Sequence, residues 1–218
     1  MSPNRQKVTD DEIFAAAQRA MTRRGPHELT LADVAREAGV SAGRLVQRFG
    51  SKRGLLLTLA GRFAGSARPM FAGFRSAHRS PLAALRAYAS CMAGLAATPE
   101  ALSRNLAYLQ IDLIDPDFRA HLVANARATR RQIESLLRSA VHEGALKADV
   151  DTRRLARTVE TVIGGSLMSW ACYQTGSAAR WIRRDLDAVL QPYEAPAHRS
   201  RASARRRSKL VPHIRDGP

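Results

Sequence analysis

AGVSAGRLVQRFGSKRGLL, residues 38–56, has the pattern expected for the end of one short helix, a tight turn and a second short helix. Gly39 can take the left-handed backbone conformation that such a turn requires. Val40 can pack into the corner of the turn, and Ser41 can cap the helix that follows. A small residue, a glycine four positions later and then an apolar residue form the pattern of a helix-turn-helix. The stretch therefore predicts this motif, with its second helix over residues 42–49.

The second helix of the motif has two faces of different chemistry. With a rotation of about 100° per residue, one face carries Ala42, Leu45, Val46 and Phe49. The other face carries Gly43, Arg44, Gln47 and Arg48. Arginine can form bidentate hydrogen bonds to guanine, and glutamine can do so to adenine. The pattern predicts that the apolar face, Val46 included, packs on the preceding helices and that the polar face contacts DNA.

The segment after this helix adds a candidate phosphate site. Ser51 can cap the next helix, and Lys52 and Arg53 stand in its first turn. A cation there opposes the helix dipole, so a purely structural role does not explain these two side chains. A phosphate bound at the helix N-terminus would explain them. The alternative is a surface helix with a solvated basic face, but the cap, the turn glycine, the two-faced helix and the phosphate site together favour DNA binding.

The composition agrees with a polyanionic partner. The chain has 218 residues, with 35 Lys or Arg against 19 Asp or Glu, and a formal net charge of +16. Such a charge attracts nucleic acid or an anionic membrane surface and does not choose between them. Cys91 and Cys172 have neither metal-ligand nor disulfide spacing. The histidines show no ligand spacing, and no signal-type or membrane-spanning apolar run occurs. We therefore expect a cytoplasmic protein without a metal or another cofactor.

Helix signals continue along the whole chain. Good helix formers dominate, and residues 80–81, 98–99 and 115–116 each place a capping residue before a proline. About nine helices are predicted, over residues 9–24, 31–38, 42–49, 52–76, 81–96, 99–113, 116–143, 152–175 and 178–192. The predicted fold is all-α, with a three-helix helix-turn-helix domain at 1–50 and a larger helical bundle at 51–193. Residues 194–218 carry seven Lys or Arg against two acidic residues, a net +5, and are expected to form a disordered basic tail.

The helix-turn-helix stretch resembles the DNA-binding domain of the TetR family of bacterial transcriptional regulators. The matching residues are Thr30, Ala35, Ala38, Gly39, Val40, Ser41, Gly43, Leu45, Phe49, Ser51, Lys52, Leu55 and Leu56. The resemblance covers residues 9–60 strongly, and beyond them it is one of length and helix layout. It departs at residue 46, where many members place a tyrosine whose hydroxyl would reach a phosphate, a contact that Val46 cannot make. The expected DNA-binding set is Thr30, Ser41, Ala42, Gly43, Arg44, Gln47, Arg48, Lys52 and Arg53.

The resemblance also implies a small-molecule pocket in the helical bundle. The candidate pocket residues are aromatic, apolar or amide side chains: Phe63, Tyr88, Met92, Tyr108, Leu109, Asn125 and Trp170. For each of them, a place in the hydrophobic core is the more ordinary alternative.

A dimer interface is the second implication for the bundle. Gly164 and Gly165 lie inside the most apolar helix at a cost of about 1 kcal/mol each relative to alanine, which suggests that another helix approaches closely. With the amphipathic helix 181–190, the candidate interface is Gly164, Gly165, Met168, Tyr173, Trp181, Leu186 and Val189. The alternative is a pair of helices buried within one subunit.

These features together predict a homodimeric, ligand-responsive transcriptional repressor. It would act in the bacterial cytoplasm, on the nucleoid, and would bind a near-palindromic double-stranded operator until a small-molecule effector releases it. The same parts could also serve an activator. The competing hypothesis is a structural protein that coats nucleic acid without sequence preference, through its bulk charge and basic tail. No constellation of catalytic residues stands out, so an enzyme is not expected.

Overall fold

The computed structural model describes residues 8–196, and within them the chain folds into nine α-helices joined by short turns. The helices are α1 (Asp10–Arg23), α2 (Leu31–Ala38), α3 (Ala42–Phe49), α4 (Lys52–Ala77), α5 (Pro81–Met92), α6 (Pro99–Ile114), α7 (Pro116–His142), α8 (Thr152–Tyr173) and α9 (Ala178–Leu190). The predicted all-α fold is confirmed. The helix ends differ from the prediction by two residues or fewer, except that α5 gives way to a tighter 3-10 turn over Ala93–Ala96.

Each helix begins at a side chain that caps its first turn. A hydroxyl or carboxylate oxygen of the capping residue accepts a hydrogen bond from a backbone N–H two or three positions further on, which satisfies a donor that the helix itself leaves open. The caps are Thr9, Thr30, Ser41, Ser51, Ser80, Thr98, Asp115, Asp151 and Ser177. In α5, α6 and α7 a proline follows the cap, as the sequence predicted.

The first three helices and the start of α4 share one hydrophobic cluster. Its buried side chains include Ile13, Phe14, Leu29, Val34, Leu45, Leu55 and Leu59. Gly39 ends α2 with a φ of +67°, the left-handed conformation expected of the turn glycine. The turn therefore sets α3 across α2 as a helix-turn-helix requires.

A second and larger cluster forms the core of the remaining helices. Its largest fully buried side chains are Phe71, Leu85, Ile133, Leu136, Leu137, Leu146, Ile182 and Leu186. Helix α4 belongs to both clusters, because Leu55 and Leu59 lie in the first and Phe71 lies in the second. With 26 residues, α4 is about 39 Å long and physically joins the two parts. The domain boundary predicted at residue 50 stays a prediction.

The last described residues pack on the helical bundle. Leu146 and Glu194 form an isolated antiparallel bridge, and the backbone N–H of Ala195 donates to the carbonyl of Ala145 at 3.0 Å. Arg86 binds Asp187 at 2.7 Å and Glu194 at 3.0 Å. Of the predicted tail, Glu194 and Ala195 are bound to the fold by these contacts, and residues 197–218 lie outside the described part of the chain; the tail stays a prediction. Among the described helices, none is long and apolar enough to cross a membrane.

Candidate nucleic-acid interface and ligand cavity

Leu45 is the fully buried side chain of helix α3 within the helix-turn-helix core. Gly43 and Gln47, on the opposite side of the helix, are exposed. Val46 is 48% exposed, so the prediction that it packs on the preceding helices is wrong. Ala42 and Phe49, which flank Leu45 on the helix, pack against the same core, whereas Val46 does not. Gly43, Val46 and Gln47 therefore lie on the outward face of α3.

The two arginines of α3 contact the start of α1. The Arg44 guanidinium donates a hydrogen bond to the backbone carbonyl of Val8 at 3.3 Å. Arg48 forms an ion pair with Asp10 at 2.6 Å. In this conformation both arginines flank the outward face of α3 and do not project freely from it. Their predicted contact with base edges requires these two interactions to be exchanged for contacts with DNA.

The remaining small residues of the predicted set shape the backbone of the motif. The Thr30 hydroxyl and the Asp33 carboxylate form a reciprocal capping box at the start of α2, and the Thr30 hydroxyl holds the pKa of Asp33 below its usual value. The Ser41 hydroxyl accepts a hydrogen bond from the backbone N–H of Arg44. Ala42 is half-buried, and a Cβ added at Gly43 would meet open space. Gly43 thus leaves room at the surface of α3 for an approaching backbone.

The basic pair at the start of α4 has structural partners. The Lys52 ammonium donates to the carbonyl of Pro26 at 3.0 Å. The Arg53 guanidinium binds Asp115 at 2.7 and 2.9 Å and Asp117 at 2.9 Å. These hydrogen bonds raise the pKa of Arg53 and lower the pKa of Asp115. The inference that the two cations lack a structural role is therefore wrong. The sequence did not show their partners, because these lie far away along the chain.

An apolar cavity lies where the helix-turn-helix part meets the bundle. It has a volume of about 180 Å³. Its walls come from α1, α4, α6 and α7: Met21, Leu56, Leu59, Ala60, Phe63, Tyr108, Ile111, Asp112, Phe118, His121, Leu122 and Asn125. Two hydrogen bonds beside it tie α6 to the end of α1. Arg104 donates to the carbonyl of Thr22 at 2.7 Å, and the Tyr108 hydroxyl donates to the carbonyl of Arg24 at 3.1 Å.

Three of the seven candidate pocket residues, Phe63, Tyr108 and Asn125, line this cavity. The others lie elsewhere. Tyr88 packs on Phe71 in the second core with ring centroids 4.5 Å apart, and burial raises its pKa to about 12. Trp170 is buried in the same core, Met92 packs against it, and Leu109 is half-buried outside the cavity wall. Residues such as Met21 and Ala60 carried no sequence signal, because only the tertiary fold brings the end of α1 beside α4 and α6.

The predicted dimer face divides into exposed and buried residues. Gly164, Gly165 and Met168 are exposed along one side of α8, and a Cβ added at either glycine would meet nothing within 4 Å in the protomer. Tyr173 is exposed at the end of α8, on the opposite side of the helix. The Tyr173 ring stacks on the half-buried Trp181 ring at a centroid distance of 5.6 Å. Val189 is half-buried. Leu186 is fully buried in the core of the protomer and is not available to a partner, because α9 turns it towards α5 and α8.

Within residues 8–196, no group of three or more His, Cys, Asp or Glu side chains is placed to hold a metal ion.

Two family models match the chain in the order of its two parts. The model for bacterial regulatory proteins of the tetR family matches residues 13–59. The model for the tetracyclin repressor-like C-terminal domain matches residues 107–186. No curated protein matches the sequence significantly.

Several solved structures share the fold. A putative TetR-family transcriptional regulator from Rhodococcus sp. is 23% identical, with a TM-score of 0.62 over 83% of this chain and 97% of that one. SmeT, the repressor of the multidrug efflux pump SmeDEF of Stenotrophomonas maltophilia, is 22% identical, with a TM-score of 0.61. The match covers 88% of this chain and 93% of SmeT. FadR of Bacillus subtilis, solved in complex with stearoyl-CoA, is 17% identical, with a TM-score of 0.64. The match covers 84% of this chain and 98% of FadR.

At these identities the structural likeness shows the fold alone, whereas the two family models cover both the helix-turn-helix and most of the bundle. The chain therefore belongs to the TetR family of bacterial DNA-binding transcriptional regulators, a family of regulators and not of enzymes.

Proposed function

We propose that this protein is a homodimeric repressor that leaves its operator when a small molecule enters the cavity between the helix-turn-helix part and the bundle. The observation that carries the proposal is the position of that cavity. Met21 of α1 and Leu56 and Leu59 of α4 belong to the side that holds the helix-turn-helix, and Ile111 and Leu122 belong to the bundle. A ligand at this position would contact both parts at once.

The hydrogen bonds around the cavity offer a route from ligand to DNA. Tyr108 lines the cavity and also binds the end of α1, so a ligand that displaces the Tyr108 ring would strain that hydrogen bond. Arg53 ties the start of α4 to the start of α7 close to Phe118, another cavity residue. A ligand shifts such an equilibrium only if it binds the released conformation more tightly than the DNA-bound one.

Dimerisation would supply the second recognition helix. The exposed side of α8 combines two glycines with Met168, which is 46% exposed. Small residues with open space above them let a second helix approach closely, and the apolar Met168 would gain from burial there. Two copies of α3 would then enter successive major grooves about 34–36 Å apart on a near-palindromic operator. The regulator would work on the nucleoid, in the bacterial cytoplasm.

Two of the solved structures with this fold agree with the proposal. SmeT is described as a repressor, and FadR was solved with a bound acyl-CoA. These are properties of those proteins, and they support the proposal only by showing that the same fold serves repression and holds a small molecule.

The competing function is coating of nucleic acid without sequence preference, which the charge of +16 favours. The two are separated by selecting bound sequences from a random DNA pool and measuring affinities at fixed salt. A sequence-specific regulator should prefer the selected site over random DNA by at least about 10³-fold. The selected site should also be an inverted repeat that binds two protomers. Equal affinity for both DNAs would refute the regulator and support the coating protein.

Release can be tested by partly filling the cavity. Ala60→Leu places a larger side chain in its wall, whereas Ala124→Leu makes the same change at an exposed position of α7. Compounds that raise the melting temperature of the wild type are first identified and then tested for release of the selected DNA. We expect Ala60→Leu to lose both the stabilisation and the release, and Ala124→Leu to keep both. Release that persists in Ala60→Leu would refute a role for this cavity.

A further inference from the structure

Among the described residues that line the cavity, Asp112 is the only Asp, Glu, Lys or Arg. The rest of the wall is mostly apolar, and its polar members are Tyr108, His121 and Asn125. Tyr108 already donates its hydroxyl to the carbonyl of Arg24. His121 packs its ring against Gly61, where an added Cβ would lie 3.3 Å from Cε1 of the ring. The negative charge of Asp112 is thus placed among groups that do not neutralise it.

A comparison with Asp115, one turn further along the chain, shows how unusual this is. Asp115 binds Arg53, and that interaction lowers the pKa of Asp115. Among the described residues, no donor and no cation pairs with Asp112. Burial raises the pKa of Asp112. A charge without a partner in a partly buried, apolar place is costly.

Aromatic rings complete the environment. Phe63, Tyr108 and Phe118 line the same cavity, and Phe63 is 41% exposed although it is large and apolar. Aromatic faces attract cations. An ammonium group has three hydrogens to donate, and the Asp112 carboxylate and the Asn125 carbonyl are acceptors. The carboxylate, the acceptors and the rings all favour the same kind of ligand.

We infer that the cavity binds a small organic cation, an amine carried on a compact apolar body, with the ammonium group paired to Asp112. This inference rests on the proposed function, since it names the class of effector for the same cavity. The volume of about 180 Å³ sets the size, because a cavity of about 150 Å³ holds one benzene molecule. The apolar body is therefore about one ring.

The test uses the whole chain of 218 residues and three probes of one shape, in calorimetric titrations at pH 7 without DNA. Benzylamine is cationic, benzyl alcohol is neutral and benzoate is anionic. Because a hydrogen bond to a charged group is strong, we expect benzylamine to bind about tenfold or more tightly than benzyl alcohol, and benzoate to bind least. Equal binding of benzylamine and benzyl alcohol, or no binding of benzylamine, would overturn the inference.

Two variants of equal charge assign the effect to its position. Asp112→Asn should weaken benzylamine about tenfold or more and leave benzyl alcohol unchanged. Asp149→Asn removes the same charge from an exposed loop and should change neither. An unchanged affinity of Asp112→Asn for benzylamine would overturn the inference. If this variant does not fold, the comparison of the three probes with the wild type still tests the inference. Release of the selected DNA by benzylamine is measured separately: binding through Asp112 without release would refute the proposed function and keep the ligand class.

Discussion

The exposed Val46 on the outward face of α3 leads to a specific prediction about the DNA sequence that this protein recognises. A valine in the major groove has no hydrogen bond to offer, and its partner there is the methyl group of thymine. We therefore expect Val46 to select thymine at one position of each half-site. The perturbation is Val46→Ala, which removes the methyl groups and leaves the helix intact.

The size of the effect follows from the exposure of the side chain. Complete burial of a valine-sized side chain is worth about 1.5–3 kcal/mol. Val46 is 48% exposed. Burial of this exposed part against DNA is therefore worth about half of that free energy, about 0.7–1.5 kcal/mol. Val46→Ala should then weaken binding to the selected site about 3- to 12-fold. Val123→Ala, at a 38% exposed position of α7, is the matched control and should have no effect.

The assay compares sites in which single thymines are replaced by deoxyuridine, which lacks only the methyl group. At the contacted position, this replacement should reduce the binding free energy of the wild type by as much as the Val46→Ala substitution does. The same replacement should cost Val46→Ala nothing further, because the partner of the methyl group is already absent. Equal sensitivity of both proteins to deoxyuridine at every position, or a loss in Val46→Ala that is uniform over all sequences, would refute the reasoning.

Three further predictions concern the dimer, the acid response and the basic terminus. Met168→Glu should place a charge in the proposed interface and shift the protein to monomers in sedimentation analysis. The control Val123→Glu should remain dimeric. If Met168→Glu is dimeric as well, the proposed interface is contradicted. Hydrogen bonds from two arginines of α1 lower the pKa of Glu37 in the folded protein. The stability that these bonds add is fully present above the ordinary glutamate pKa of about 4.3. It is lost as the pH falls through the lower pKa of Glu37 in the folded protein. Thermal unfolding between pH 7 and pH 3 should therefore depend less on pH in Glu37→Gln, and identical profiles would count against this account. Removal of residues 197–218, with seven Lys or Arg, should flatten the dependence of DNA affinity on salt; an unchanged slope would show that these residues do not contact DNA.

The helices could be predicted closely from the sequence because their signals are local. Capping residues, prolines at the first helical position and turn glycines act within four residues of the boundary that they set. This is why α2 and α3 lie where the sequence places them. It also explains why the match to the family extends along the helix-turn-helix.

The functional surfaces could be predicted only in part, because they depend on contacts between distant segments. Arg53 lies 62 residues before Asp115, and no local pattern connects them. Val46 and Leu45 look alike in an apolar pattern, yet the packing of α3 buries one and exposes the other. Likewise, nothing in the sequence around Asp112 shows that its carboxylate lines a cavity without a partner.

The contacts of Arg44 and Arg48 with the start of α1 have a consequence for the search along DNA. A protein with a net charge of +16 adheres to any duplex through phosphates and counterion release. While Arg44 stays on the Val8 carbonyl and Arg48 on Asp10, the bonded hydrogens of the two guanidinium groups are not available to phosphates. They would be exchanged only where base edges offer better partners, so sliding over wrong sequences stays fast and the longest residence is reserved for the operator.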